Sequence, residues 1–587
     1  MFIYREKKAK LLVYTRKASA KDYPEGLAYS VHFAYSKNGD HFQALHQNYG
    51  ILFAEGEISE EDTIVPKSVK NPRLFRLQEG YYGILADRTQ EDGNPETEGK
   101  NSSGEAEEAG KAKRQREKAE YALLWITKDF QEFHRPVLMN KRGVEWEALQ
   151  RASGASMHGQ YLVEGEQVTG SCLEIDGAFC DRIVQKWTQV YNTGILLPDV
   201  VEASSPEEIT AVEAQAVYSD GSTALKKVAW DIEAIDFTKP GIYQTQGVIR
   251  NRRFGFPLAK GYGDPVIFGW EGKWYFLGTN DNLGDIGIYV READSVEALF
   301  DERTEEHLIL GVDEEKGFIQ TFWAPEFHFI GSRLYILFAV GGKVWGPGCY
   351  MMRLKADGHI INAKDWEEPV KVVRRDGSPL SGDGITLDMT YLRAGDCSYL
   401  VWSYRRGIGT PKDTGSMLYI ARAEEAEPWR LSSEPVLLSR PLYGWENVSG
   451  TINNEGPHGF VKDGKVYLTY SGGNAAGYTY AVGLLTADAF KDLTDPLVWK
   501  KSGVPVLNFY SVKGEYGPGH NSFFLDEDGS LMIAYHGETE IESHLRCDGI
   551  RRVHFDIHGE PVFDMSADRD LNPVLEKVSL QVAVPGR

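Results

Sequence analysis

The sequence is poor in cysteine, in positive charge and in long apolar runs, and each shortage excludes a class of protein. The 587 residues contain five cysteines, Cys172, Cys180, Cys349, Cys397 and Cys547, and none forms a Cys-x-x-Cys pair. An odd and scattered set argues against a disulfide framework and against a thiolate zinc site. Lys and Arg number 64 against 86 Asp and Glu, a formal net charge of −22. A surface this acidic repels phosphate backbones and anionic lipid, so nucleic acid and membranes are not expected partners. No apolar stretch approaches the roughly 18 residues of a spanning helix. The amino-terminal segment MFIYREKKAKLLVY has no apolar h-region, and a cytoplasmic protein is expected from it. There is no P-loop, no Gly-x-Gly-x-x-Gly after a strand and no metal-ligand His pair, so zinc, nucleotide and flavin chemistry find no support.

What is present is aromatic and glycine-rich. Aromatics make up 12% of the chain and Gly contributes 61 residues. With short apolar runs between them, these residues favour strands and turns, and an all-β protein is expected. Aromatic faces also pack against the C–H face of a sugar, a neutral substrate compatible with the acidity. The length suggests two to four domains.

Residues 89–120 are nearly free of apolar side chains and dense in mixed charge, so they read as a disordered insertion. Further on, VEAQAVYSDGSTALKKVAWDIEAIDFTKPGIYQTQGVI alternates apolar and polar residues between turn signals, the pattern of a small antiparallel sandwich. Its YSDGS turn, its Trp230-Asp231 pair and its Pro240-Gly241 turn resemble bacterial Ig-like domains.

From residue 261 a longer period appears. GDPVIFGWEGKWYFLGT, WAPEFHFIGSRLYILFAV, LDMTYLRAGDCSYLVWSY, EGPHGFVKDGKVYLTYSGG and GPGHNSFFLDEDGSLMIAYHG share one grammar: a polar start, a strand, a turn and an aromatic strand. Five such repeats, about 60–70 residues apart, suggest a propeller with one four-stranded sheet per blade. The starts converge on one axial funnel. Asp264, Asp388 and Glu455 all lie at such starts. Glycoside hydrolysis needs two carboxylates across the scissile bond, and a third raises the acid's pKa by like-charge repulsion.

These motifs together resemble glycoside hydrolase family 43, a family of five-bladed β-propellers. The resemblance implies that Asp264 is the general base, that Glu455 is the general acid and that Asp388 orients Glu455, in a reaction that inverts the anomeric centre. It implies that His520, in GPGHNS, lies on the axis, where it meets a calcium ion or a water network; no other cofactor is implied. Asn280, Asp281, Trp323, Trp402 and His458 are the candidate substrate contacts. The segment DLTDPLVWKKSGVPVLNFYSVKGEYGPGHNSF resembles the α-L-arabinofuranosidase branch, so an oligosaccharide losing terminal arabinofuranose is the expected substrate. β-Xylosidase, galactofuranosidase and non-catalytic sugar binding are the alternatives.

The amino-terminal part carries an echo of the same grammar. VKNPRLFRLQEGYYGILADR resembles the first repeat, but Asn71 stands where the base Asp would be. An amide cannot take a proton from water. Residues 1–150 are therefore expected to be a degenerate, non-catalytic propeller-like unit that packs on the enzyme domain or shapes its cleft. Residues 151–250 are expected to form the Ig-like sandwich, and residues 251–587 the catalytic propeller.

Overall fold

The computed structural model describes residues 8–39, 41–96, 120–142, 149 and 157–586; most of the charged insertion, 97–119, lies outside them. The protein is all-β. Five four-stranded antiparallel sheets form the blades of a propeller. Their inner strands are Tyr262–Trp270 (blade I), Gln320–Ile330 (II), Ile385–Ala394 (III), Asn454–Lys462 (IV) and Tyr516–Leu525 (V). Blade V is completed by Ala259–Lys260, which pairs with Cys547 and Asp548. The ring is thus closed by hydrogen bonds between its two ends.

Local chemistry explains the hairpins. Blade I turns at Glu271-Gly272 and blade IV at Asp463-Gly464, with both central residues at positive φ (51° and 77°; 51° and 76°). That is the turn whose twist matches a tight antiparallel hairpin, and a glycine at its second position relieves the left-handed strain. The strands that follow, such as Lys273–Asn280 and Arg333–Gly341, are buried on both faces between neighbouring blades. This is why they read as continuous apolar runs rather than as alternation.

Two stretches pair elsewhere than their sequence positions suggest. Met157–Val163 and Glu166–Asp176, expected in the sandwich, join Lys8–Thr15 and His32–Ser36 in a five-stranded amino-terminal sheet. The final strand Lys577–Val584, expected in the propeller, pairs with Gly241–Ile249 and with Val200–Glu202 in the sandwich. Strand pairing between residues far apart in sequence leaves no local signal, so composition could not have placed either. The longest helix among the described residues is Gly177–Trp187. Asp176 caps it by accepting from the Phe179 amide at 3.0 Å, and Cys180, Ile183 and Trp187 are its buried face.

A further four-stranded sheet, Lys67–Arg76, Tyr82–Gln90, Tyr121–Thr127 and Val137–Asn140, stands next to the amino-terminal sheet. Tyr23, Leu27, Tyr49 and Phe53 of this amino-terminal unit share one apolar core with Trp445, Tyr470, Tyr478 and Phe509 of the propeller.

The sandwich depends on its borrowed strand. Leu580, Val582 and Val584 are buried beside Trp230, Ile235 and Ile249. Each such side chain is worth about 1.5–3 kcal/mol of burial, against a total stability of about 5–15 kcal/mol for a domain. Truncation after Glu576 is expected to unfold the sandwich while the propeller persists. Hydrogen exchange should show protection lost across residues 192–249 and kept in the blades; retained protection in the sandwich would contradict this pairing.

Candidate active site

Every inner strand carries a bulge at the same place. The pairing skips Asp264-Pro265, Ala324-Pro325, Asp388-Met389, Gly456-Pro457 and His520-Asn521. The first residue of each pair is left-handed, at φ 58°, 45°, 52°, 55° and 41°. A bulge re-aims the side chain that it frees from the ladder, and four of these five residues are not glycine. Left-handed backbone at such residues costs of order 1–3 kcal/mol and clusters where function demands it. Asp264, Asp388 and His520 therefore occupy equivalent positions. Glu455 does not: it sits one residue ahead, opposite Ser471, and Gly456 takes the equivalent place. This corrects the expectation that all three carboxylates correspond. The reason is steric. A Cβ on Gly456 would lie 2.8 Å from the His520 ring.

The second strands of blades I, III, IV and V supply partners to the bulges, in their own blade or in the next one round the ring. Thr279 donates to Asp264 Oδ2 at 2.5 Å, and Ser403 donates to Asp388 Oδ2 at 3.1 Å. The Ser471 hydroxyl accepts from the His520 amide at 2.7 Å. His536 Nδ1 accepts from the Asp264 amide at 3.1 Å while its Nε2 donates to the Ala475 carbonyl at 3.0 Å. Burial keeps this imidazole below its usual pKa, so the neutral tautomer fits both bonds.

The carboxylates share one buried cage but differ in charge. Burial would raise Asp264, but the His520 and Arg546 cations beside it hold it well below the usual range. His520 Nδ1 and Arg546 Nη1 each lie 3.0 Å from Asp264 Oδ1. Burial and the neighbouring Asp388 instead push Glu455 up to about 8. Its Oε1 accepts from Tyr480 at 3.0 Å. Asp388 is also raised, chiefly by burial, although the Gly456 amide donates to its Oδ2 at 3.1 Å. Burial opposes a charge on His520, yet the Asp264 and Asp388 carboxylates raise it to about 9. One ionised carboxylate and one protonated carboxyl thus stand in a single cage at neutral pH, the division that acid–base hydrolysis requires.

The model of glycosyl hydrolases family 43 matches residues 258–559, just over half of the chain. The chain belongs to this family. A bacterial Ig-like domain (group 4) matches residues 212–251. The family 43 chain is 31% identical over 333 residues to an extracellular exo-alpha-(1->5)-L-arabinofuranosidase of Streptomyces avermitilis, covering 55% of this chain and 65% of that one. It is 30% identical to alpha-L-arabinofuranosidase B of Pyricularia oryzae, covering 52% of this chain and 57% of that one. It is 32% identical to an extracellular exo-alpha-(1->5)-L-arabinofuranosidase of Streptomyces chartreusis, covering 48% and 81%. The chain spans less than two-thirds of the length of the first two. A crystal structure of alpha-L-arabinofuranosidase from Lactobacillus brevis is 28% identical, covers 52% of this chain and 95% of that one, and superposes with a TM-score of 0.46. Two of these relatives are named as extracellular, which overturns the expectation of a cytoplasmic protein. A charged, h-region-free segment speaks only to one export signal and not to the compartment.

The other expected site residues of this family 43 chain divide. Asp281 pairs with Arg546, whose Nε donates to its Oδ2 at 2.9 Å, and so supports the base position from behind. Trp323 is half-buried and donates from Nε1 to Asp285 Oδ2 at 2.8 Å. Asn280 is buried, and its side-chain amide lies 3.4 Å from the Glu306 carboxylate. Trp402, expected to touch substrate, is fully buried in the packing between blades II and III and stacks on Tyr419. An aromatic at the middle of a doubly covered strand has no free face. His458 also departs from expectation. It lies beyond the bulge, 4.0 Å from Glu326, which itself holds His328 at 2.6 Å. Among the described residues, Glu326, His328 and His458 have ligand spacing for a metal, and His520 is not of that group. His520 offers a single nitrogen, Nε2, which is buried without a partner. Calcium takes six to eight oxygen ligands, and the residues at His520 do not fit a protein-built calcium cage.

Arg546, His536, Tyr480, Thr279 and Ser403 were not foreseen. A signal existed for three of them. Thr279, Ala339, Ser403, Ser471 and His536 sit at one register opposite the five bulges. Aligning the second strands of the repeats brings them into one column.

Gly456→Ala tests the packing of this cage. It adds a left-handed strain of about 1–3 kcal/mol and drives the His520 ring away from Asp264. Turnover is expected to fall more than about ten-fold, equivalent to 1.4 kcal/mol, with the His520 ring displaced in a crystal structure. Full activity with an unmoved ring would contradict the steric account.

Proposed function

We propose that the chain is an exo-acting glycosidase that releases terminal α-L-arabinofuranosyl residues from oligosaccharides with inversion. Asp264 is the general base, Glu455 the general acid and Asp388 the residue that orients Glu455 and keeps it protonated. The observation that carries this reading is the opposite displacement of two carboxyl groups within one cage. Asp264 is held ionised by His520 and Arg546, and Glu455 is held protonated up to about 8 by burial and Asp388. The names of the arabinofuranosidase relatives support the sugar.

In this mechanism Glu455 gives its proton to the leaving glycosidic oxygen while Asp264 takes one from the attacking water. Inversion needs room for that water between base and sugar. Asp388 contacts the Gly456 amide, next to the acid, and so fixes the backbone that carries Glu455. His520 serves as the buried cation that offsets the carboxylates. Both proton transfers are supplied by the chain itself.

The acid must carry its proton, so the sign of the alkaline limb follows directly. The protonated fraction of Glu455 is high below about 8 and falls above it. On an oligosaccharide, kcat/KM is expected to drop by about ten-fold per pH unit beyond that point. Glu455→Gln should cost about 10²–10⁴-fold on oligosaccharides but far less on 4-nitrophenyl glycosides, whose leaving group needs no proton. An equal loss on both would refute the role of acid. A panel of nitrophenyl α-L-arabinofuranoside, β-D-xyloside and galactofuranoside tests the sugar; strong xylose release with no arabinose release would overturn the assignment.

A further inference from the structure

The amino-terminal unit sits on one side of one face. In each blade the loops after the second and fourth strands lie at the same end as the bulges. The propeller residues that this unit meets at that end include Arg406, Arg440, Leu442, Tyr443, Ser449 and Tyr510, all in such loops of blades III and IV. Gly56 donates to the Leu442 carbonyl at 2.7 Å, and Glu55 bridges Tyr443. Glu91 accepts from the Ser449 amide at 3.0 Å. Tyr23 stacks on Tyr510 with ring centroids 5.8 Å apart. Gly26 and Gly444 approach so closely that a Cβ on Gly444 would lie 2.9 Å from the Gly26 carbonyl. This is a fixed surface and not a tethered accessory.

The hairpin of Glu57–Ile58 and Ile64–Val65 is its forward edge. Asp62, left-handed at the tip with φ 66°, accepts from Arg406 and from Arg440, each at 2.6 Å. Its carbonyl accepts again from Arg440 at 2.8 Å. Arg406 follows Arg405, which donates to Asn453 Oδ1 at 3.0 Å, and Asn453 is two residues from Glu455. The hairpin tip is thus bonded to the residue that follows Arg405, and Arg405 is bonded to the segment that leads into Glu455. The base is on blade I, across the axis. In an inverting hydrolase the leaving group departs past the acid, so it departs toward this hairpin.

We propose that the hairpin 57–65 walls the leaving-group side of the cleft and restricts the enzyme to short oligosaccharides, because a polymer running past Glu455 would collide with it. The inference rests on Glu455 being the acid. Asp62 acts as a positioning residue that clamps the hairpin against Arg406 and Arg440. Without it two guanidinium groups, one of them buried, lose a carboxylate, and the edge is freed.

The test compares the full chain with Asp62→Ala and with a variant whose residues 58–64 are replaced by Gly-Gly-Ser. Activity is read on nitrophenyl α-L-arabinofuranoside, on arabinotriose and on linear arabinan, with thermal melting as the check of folding. The ratio of kcat/KM on arabinan to that on the nitrophenyl glycoside is expected to rise by about ten-fold or more in the shortened variant, and in the same direction in Asp62→Ala. A ratio unchanged in folded variants would overturn the wall. A merely structural hairpin would lower all three activities together and leave the ratio where it was. If the wild type releases another sugar, the sugar reading fails by itself, and the same ratio measured on oligomer and polymer of that sugar still decides the wall.

Discussion

Everything in the catalytic half depends on one backbone constraint, a two-residue bulge with a left-handed first residue at the head of each inner strand. Closing a ring of twisted sheets around an axis brings five strand ends together, but it leaves their side chains in the ladder. The bulge turns one residue per blade out of it. At Asp264, Asp388 and His520 the freed side chain is ionisable, and the local strain recorded in φ 58°, 52° and 41° is offset by the bonds each one gains. At blade IV the freed residue is Gly456, and the absent side chain is itself functional: it makes room for the His520 ring.

The same constraint sets the electrostatics. Bulged residues converge where water is excluded, so burial is the leading influence on each carboxyl. What separates them is which cation each one touches. Asp264 contacts both His520 and Arg546, whereas Glu455 contacts Tyr480 and faces Asp388. Arg546 is held in turn by the half-buried Asp281, so the support of the base extends outward from the cage. A low-dielectric cage amplifies these differences, and a neutral acid next to an ionised base is the result.

Much of this was legible in the sequence, for physical reasons. The repeat, the carboxylates and the Ig-like segment announce themselves because turn chemistry and strand length are local. Asn71 was legible in the same way, and the structure adds that Asn71-Pro72 is also skipped by the pairing, with Asn71 at φ 53° and its amide donating to Asp87 at 3.0 Å. What could not be read was pairing at long range. The strand Lys577–Val584 returns to the sandwich, Met157–Asp176 joins the first strand, and Arg546 reaches Asp264 across 282 positions. Trp402 misled because an aromatic next to a catalytic motif looks the same in sequence whether its face is open or covered.

The central claim is that the cage keeps Glu455 protonated while Asp264 is ionised. Infrared or carbon-13 NMR titration of the carboxyl groups, with Glu455→Gln for assignment, measures this directly. One carboxyl that titrates near 8 in the wild type and disappears in the variant is the expected result. If every carboxyl assigned to the cage ionises in the ordinary range of about 4, the account of how this site divides acid from base is wrong.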